Sequence, residues 1–97
     1  MADRPAARYV VEYSPAALRQ LAKLDIFIRR KVFDDIEKLG GNPRPHGVLK
    51  METQDKLYRV QVGPGKDYRV VYEVRDEVLL VLVVTVGHRK EVYRRVR

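Results

Sequence analysis

From Tyr68 to Arg75 the side chains alternate, with Tyr68, Val70, Tyr72 and Val74 on one side and Arg69, Val71, Glu73 and Arg75 on the other. This is the period of two of a strand with one solvated face. Arg75 to Glu77 reads as the turn that follows. Val78 to Val86 is then apolar throughout except for Thr85, and a β-branched and leucine-rich run of this length predicts a strand covered on both faces at the centre of a sheet. Gly87 closes the run. Beyond it crowd His88, Arg89, Lys90, Tyr93, Arg94, Arg95 and Arg97, so the most buried strand delivers a basic, tyrosine-bearing segment to its own end. Functional groups are commonly carried on segments leaving a rigid element.

The rest of the chain supplies the other elements. Residues 1 to 6 carry no pattern, and Arg8 to Tyr13 is β-branched and aromatic enough for a short strand. Ser14-Pro15 marks a helix start: the serine can accept from free first-turn amides, and proline fits the first helical position, where its missing N–H would be unpaired anyway. Leu18, Leu21 and Leu24 give this helix an apolar stripe, with Tyr13 and Leu18 as a hydrophobic staple. Asp25 caps a second helix in which Ile28, Val32, Phe33, Ile36 and Leu39 recur at spacings of three and four, and Gly40-Gly41 stops it. Asn42 to Lys56, with Pro43, Pro45 and Gly47, reads as a crossing loop. Leu57 to Val62 is again a strand, with Tyr58, Val60 and Val62 opposed to Leu57, Arg59 and Gln61, and Gly63 to Asp67 is a turn. The expected architecture is an α+β domain spanning residues 1–97: an N-terminal strand, a two-helix hairpin, then three antiparallel strands. Together they form a mostly antiparallel four-stranded sheet with the helices on one face.

Composition narrows the class. Lysine and arginine total 20 against 13 acidic residues, a net charge of +7 on 97 residues, which points to a polyanionic partner and to nucleic acid first. The absence of cysteine excludes disulfides and thiolate metal sites. The longest apolar run is about half of the roughly 20 residues a membrane-spanning helix needs. No signal-peptide pattern precedes the first strand, so a soluble cytoplasmic protein is expected.

The chain has no phosphate-cradling glycine motif following a strand; Gly63-Pro64-Gly65 is explained by turn geometry. His46 and His88 have no acidic or histidine neighbour at ligand spacing, so no metal and no cofactor are expected. Ser14 is a cap before it is a nucleophile. What remains is Arg59 and Gln61 projecting from one face of their strand, Arg69 on the next, and Arg89 with Tyr93 after the last. If residues 88 to 95 take a helical turn, the spacing of four sets Arg89 beside Tyr93. Spacing favours a solvated basic face; the sharper alternative is a phosphate site, since guanidinium forks bind phosphoryl oxygens bidentately and a tyrosine can stack on a base or donate a proton.

The stretch LYRVQVGPGKDYRVVYEVRDEVLLVLVVTVGHRKEVYRR resembles the RelE branch of the RelE/ParE superfamily of bacterial and archaeal toxins, with the upstream hairpin included in the likeness. The resemblance implies a RelE-like toxin of a type II toxin–antitoxin system. Such a toxin enters the ribosomal A site, cuts the bound mRNA without a metal by attack of a ribose 2′-hydroxyl, and is held inactive by an acidic, RelB-like antitoxin. Arg69 in DYR, Arg89 in VGHR and Tyr93 in EVY match the family's catalytic arginines and tyrosine. Arg59, Gln61, His88, Lys90 and Arg94 are then expected to bind RNA. Arg59 and Gln61 stand where the best-studied kind of member has lysines; neither suits a proton acceptor, which leaves that role open, with His88 a candidate. Two other functions share the fold: a ParE-like inhibitor of DNA gyrase without nuclease activity, and a weakened homologue that binds RNA but cuts poorly.

Overall fold

The computed structural model describes residues 8–51 and 56–90. Strand β1 (Val10–Tyr13) leads into helices α1 (Pro15–Ala22) and α2 (Ile26–Glu37), and α2 ends in a 3₁₀ turn, Lys38–Gly40. Strands β2 (Leu49–Lys50), β3 (Leu57–Val62), β4 (Tyr68–Arg75) and β5 (Leu80–His88) follow, with 3₁₀ turns at Pro64–Lys66 and Asp76–Val78. Both helix caps expected from sequence are present. Ser14 Oγ accepts the Ala17 N–H at 3.0 Å, and the Asp25 carboxylate accepts that of Phe27 at 3.1 Å.

The sheet has five strands in the order β1-β5-β4-β3-β2, where four were expected. β1 runs parallel to β5, and the other pairings are antiparallel. The additional strand, β2, lies inside the stretch read as a loop. It consists of two exposed residues paired with Arg59 and Tyr58, too short to leave a periodic pattern.

The core joins Ala17, Leu21, Val32, Ile36 and Leu39 from the helical side to Val62, Val70, Tyr72, Val74, Val81, Val83 and Val86 from the sheet. Each fully buried valine or isoleucine contributes about 1.5–3 kcal/mol relative to exposure. Leu18 and Phe33, expected on the apolar stripes, are exposed at 55% and 43%. Phe33 packs by stacking on Tyr13 at 5.9 Å between ring centroids.

β5 is not covered on both faces: Val81, Val83 and Val86 are buried, whereas Leu80, Leu82, Val84 and Thr85 are half-buried. The strand is also irregular. A bulge opposite Val71/Tyr72 pairs Tyr72 with Val83 and Val71 with Thr85, leaving Val84 as an extra residue, so the core-facing positions change from odd to even numbers along the strand. The strand also continues through Gly87 to His88, beyond the expected end.

β1 stops at Tyr13, and α1 takes over the exposed edge of β5 from there. Ser14 donates its N–H to the Val83 carbonyl at 2.9 Å and its hydroxyl to that of Val84 at 2.7 Å, and Gln20 Oε1 accepts the Val86 N–H at 2.6 Å. At the opposite end of the sheet, Arg44 forks onto the Asp76 carboxylate, which also accepts the Tyr9 hydroxyl. The guanidinium first, then the tyrosine, hold that carboxyl at about 2. Tyr72 is buried and donates to the Pro43 carbonyl at 2.7 Å, which secures the loop before β2 to the core.

Candidate functional site

The cross-strand register decides which side chains share a face. Gln61 on β3 is opposite Arg69 on β4, and Arg69 is opposite Gly87 on β5; Arg59 is opposite Val71, and Val71 is opposite Thr85. Directly paired residues project to the same side. Arg59, Gln61 and Arg69 therefore occupy the face turned away from the helices, because Val70 and Tyr72, the alternate residues of β4, are buried on the helical side. Gly87 puts no side chain beside Arg69. Arg59 and Arg69 are half-buried and Gln61 is exposed, and Nε and Nη1 of the Arg69 guanidinium are themselves buried.

Arg89 is fixed by the turn between β3 and β4. Its N–H extends the β4–β5 ladder to the Asp67 carbonyl at 2.8 Å, and its Nε lies 3.5 Å from Asp67 Oδ1, with both side chains about half exposed. Arg89 and Lys90 begin a helical turn. Tyr93 and Arg94 lie outside the described residues.

His88 separates from the arginines. It pairs with Tyr68, which packs against the core, and the two rings meet edge to face at 5.3 Å. Its Nδ1 accepts the Lys90 N–H at 3.3 Å, which in the neutral ring leaves the proton on Nε2. The histidine is thus on the helical side of the sheet, and its adjacency to Arg89 in sequence does not put it on the arginine face.

Two residues that sequence reading passed over organise this end of the molecule. Asp67 anchors Arg89. Asp35 on α2 accepts the N–H of buried Gly63 at 2.9 Å, at the start of the same turn, where φ is +82°. Burial pushes the Asp35 carboxyl up, but the Gly63 amide and the ammonium groups of Lys31 and Lys38 outweigh it, and the net shift is downward. A Cβ on Gly63 would lie 2.9 Å from Val32 Cγ2 and 3.1 Å from Tyr68 Cδ1, so the helix closes directly onto this turn. The hint in the sequence is an aspartate at one end of each relationship. Neither lies in a recognisable motif.

Groups of three or more histidine, cysteine or carboxylate side chains able to hold a metal are absent among the described residues. The chemistry offered is that of fixed cations on a sheet face and at its margin, suited to an oxyanion with more than one charged oxygen.

The sequence matches the family described as ParE toxin of type II toxin–antitoxin system, parDE, over residues 11–93. The chain belongs to this family and is a RelE-like toxin of a type II toxin–antitoxin system. It is 31% identical over 83 residues to an Escherichia coli protein described as a RelE-like toxin, covering 86% of this chain and 85% of the other. It is 29% identical over 87 residues to the mRNA interferase toxin RelE of E. coli K12, covering 88% and 90%. Among solved structures, a free-state arginine double mutant of E. coli RelE superposes with a TM-score of 0.69 at 27% identity, covering 90% of this chain and 92% of the other. The same mutant bound to a peptide of the antitoxin RelB gives 0.70 at 25% identity, covering 93% and 95%. Among the described residues no helix is long and apolar enough to cross a membrane.

Proposed function

We propose that this toxin, a single domain over residues 1–97, is a cytoplasmic, ribosome-dependent mRNA endoribonuclease whose activity an acidic, RelB-like antitoxin suppresses. The observation that carries this reading is the register aligning Gln61, Arg69 and Gly87 across three strands, with Arg89 tied to the margin of the same sheet by Asp67. The mRNA interferase name of relatives at 29% identity points the same way. For the antitoxin, the support is the neighbouring RelE structures in complex with RelB.

In this reading the ribose 2′-oxygen attacks the adjacent phosphorus, the bond from phosphorus to the 5′-oxygen breaks, and the products are a 2′,3′-cyclic phosphate and a 5′-hydroxyl. Holding the 2′-hydroxyl in line makes the attack intramolecular, an effect of about 7–11 kcal/mol in well-oriented systems. Arg69 and Arg89 stabilise the charge that accumulates on the phosphoryl oxygens. Tyr93 stacks on a base or moves a proton, and Arg59, Gln61, Lys90 and Arg94 hold the strand. His88 takes no direct part in the arginine face, because it pairs with Tyr68 on the other side of the sheet.

The test is to add the protein to ribosomes translating a defined message and map new 5′ ends: cuts at A-site codons with gyrase supercoiling unaffected support the nuclease. The ParE description of the matched family favours a second reading, gyrase inhibition. Blocked supercoiling with intact message would select it. Ribosome binding without either effect would select a weakened RNA-binding homologue.

A further inference from the structure

A cleft of about 710 Å³ lies between α2 and the outer edge of β3. It exists because β2 pairs only with Tyr58 and Arg59, so among the described residues no strand covers the outer edge of Val60–Val62. Leu39, Val60 and Val62 form an apolar wall, and Lys31, Lys38 and Lys66 stand around it. Lys31 and Lys38 extend into solvent, 52% and 75% exposed, and share the single carboxylate of Asp35 at 3.2 and 3.7 Å. That carboxylate also accepts the Gly63 N–H. Three ammonium groups against one engaged carboxylate leave the rim positive. Gln61 belongs both to the cleft lining and to the arginine face, so the two are continuous around the edge of β3.

An apolar wall with a cationic rim, of a volume usual for a small-ligand site, has the chemistry of a nucleotide: a base against the wall and a phosphate at the lysines. We propose that this cleft binds a nucleotide of RNA flanking the one being cut, and so sets the position of the strand on the arginine face. The proposal rests on the nuclease reading and adds a second anchoring point to it.

The experiment is single-turnover cleavage on programmed ribosomes as a function of toxin concentration, comparing the parent with Lys31→Gln/Lys38→Gln and with Lys66→Asn. Asparagine is chosen at position 66 because φ there is +55° and asparagine tolerates that region. Each variant should raise the half-saturating concentration about tenfold and lower its salt dependence, while the rate at saturation stays within about twofold, as expected for contacts that bind without catalysing. Lys31→Arg/Lys38→Arg should restore the parent value. A message carrying 4-thiouridine beside the cut should cross-link to the segment 60–66. A concentration shift without the cross-link puts ribosomal RNA at the lysines and overturns the placement of the flanking nucleotide. A parent that cuts normally, with neutral variants saturating at the same concentration, overturns the cleft site and leaves the nuclease standing. A parent that leaves the message intact overturns both.

Discussion

Asp67 holds Arg89 at two points, through its carbonyl to the arginine N–H at 2.8 Å and through its carboxylate, 3.5 Å from Nε. The main-chain bond fixes where the residue sits, and the ion pair aims the guanidinium. An exposed pair of this kind contributes about 0–1 kcal/mol to stability, so its consequence is orientation.

Asp67→Asn should therefore leave the melting temperature nearly unchanged while separating two kinetic quantities. Removing the carboxylate frees the guanidinium to meet RNA, so the half-saturating toxin concentration falls. The loss of aim lowers the single-turnover rate at saturation by about three- to tenfold, as for a group that orients a transition-state contact. Equal rates for variant and parent at saturation would show that the ion pair does not position Arg89.

The Asp35 bond to the turn before β4 gives a pH signature. Its carboxyl titrates lower when folded than when unfolded, so the folded state binds that proton less readily. The stabilisation is complete above the unfolded value of about 3.9 and is lost as pH falls through the folded value. Asp35→Ala, which leaves the buried Gly63 N–H without its acceptor, should cost about 1–3 kcal/mol at pH 7. The difference from the parent should narrow in acid denaturation below about pH 4. A difference that persists undiminished at pH 2 would show that the carboxylate charge is not what matters.

How much was legible in the sequence depended on whether a feature left a local pattern. The β4 alternation and the Ser14 and Asp25 caps did, because each is written in residues within a turn or a strand of one another. The fifth strand did not, since Leu49–Lys50 is defined only by its partners in β3. On β5 the continuous apolar run predicted cover on both faces, whereas Leu80, Leu82, Val84 and Thr85 are half-buried, and the bulge opposite Val71/Tyr72 left no mark in the sequence. Arg59 and Gln61 could be put on one face by parity alone, whereas the place of Arg69 beside them follows from the cross-strand register and the separation of His88 from the bulge. Asp67 and Asp35 act on groups 22 and 28 residues away, a relationship no spacing rule captures.

The parity change can be tested directly. Val84→Thr, at the half-buried extra residue, should alter stability by about 0.5 kcal/mol or less. Val86→Thr, at a buried position, should cost about 1–3 kcal/mol through an unpaired hydroxyl. Chemical denaturation that ranks the two in the opposite order would contradict the register described for β5.

The catalytic assignment turns on the difference between a cation that binds RNA and one that stabilises a transition state. The decisive measurement is the single-turnover rate of message cleavage on programmed ribosomes by Arg69→Ala, at saturating toxin and with folding verified. As a catalytic group, Arg69 should account for a drop of roughly 100-fold or more with ribosome binding within a few-fold of the parent, and Arg89→Ala should behave alike. Cleavage by Arg69→Ala at near the parent rate, with only the affinity and its salt dependence reduced as for any surface cation, would contradict a catalytic face and reduce it to a basic surface.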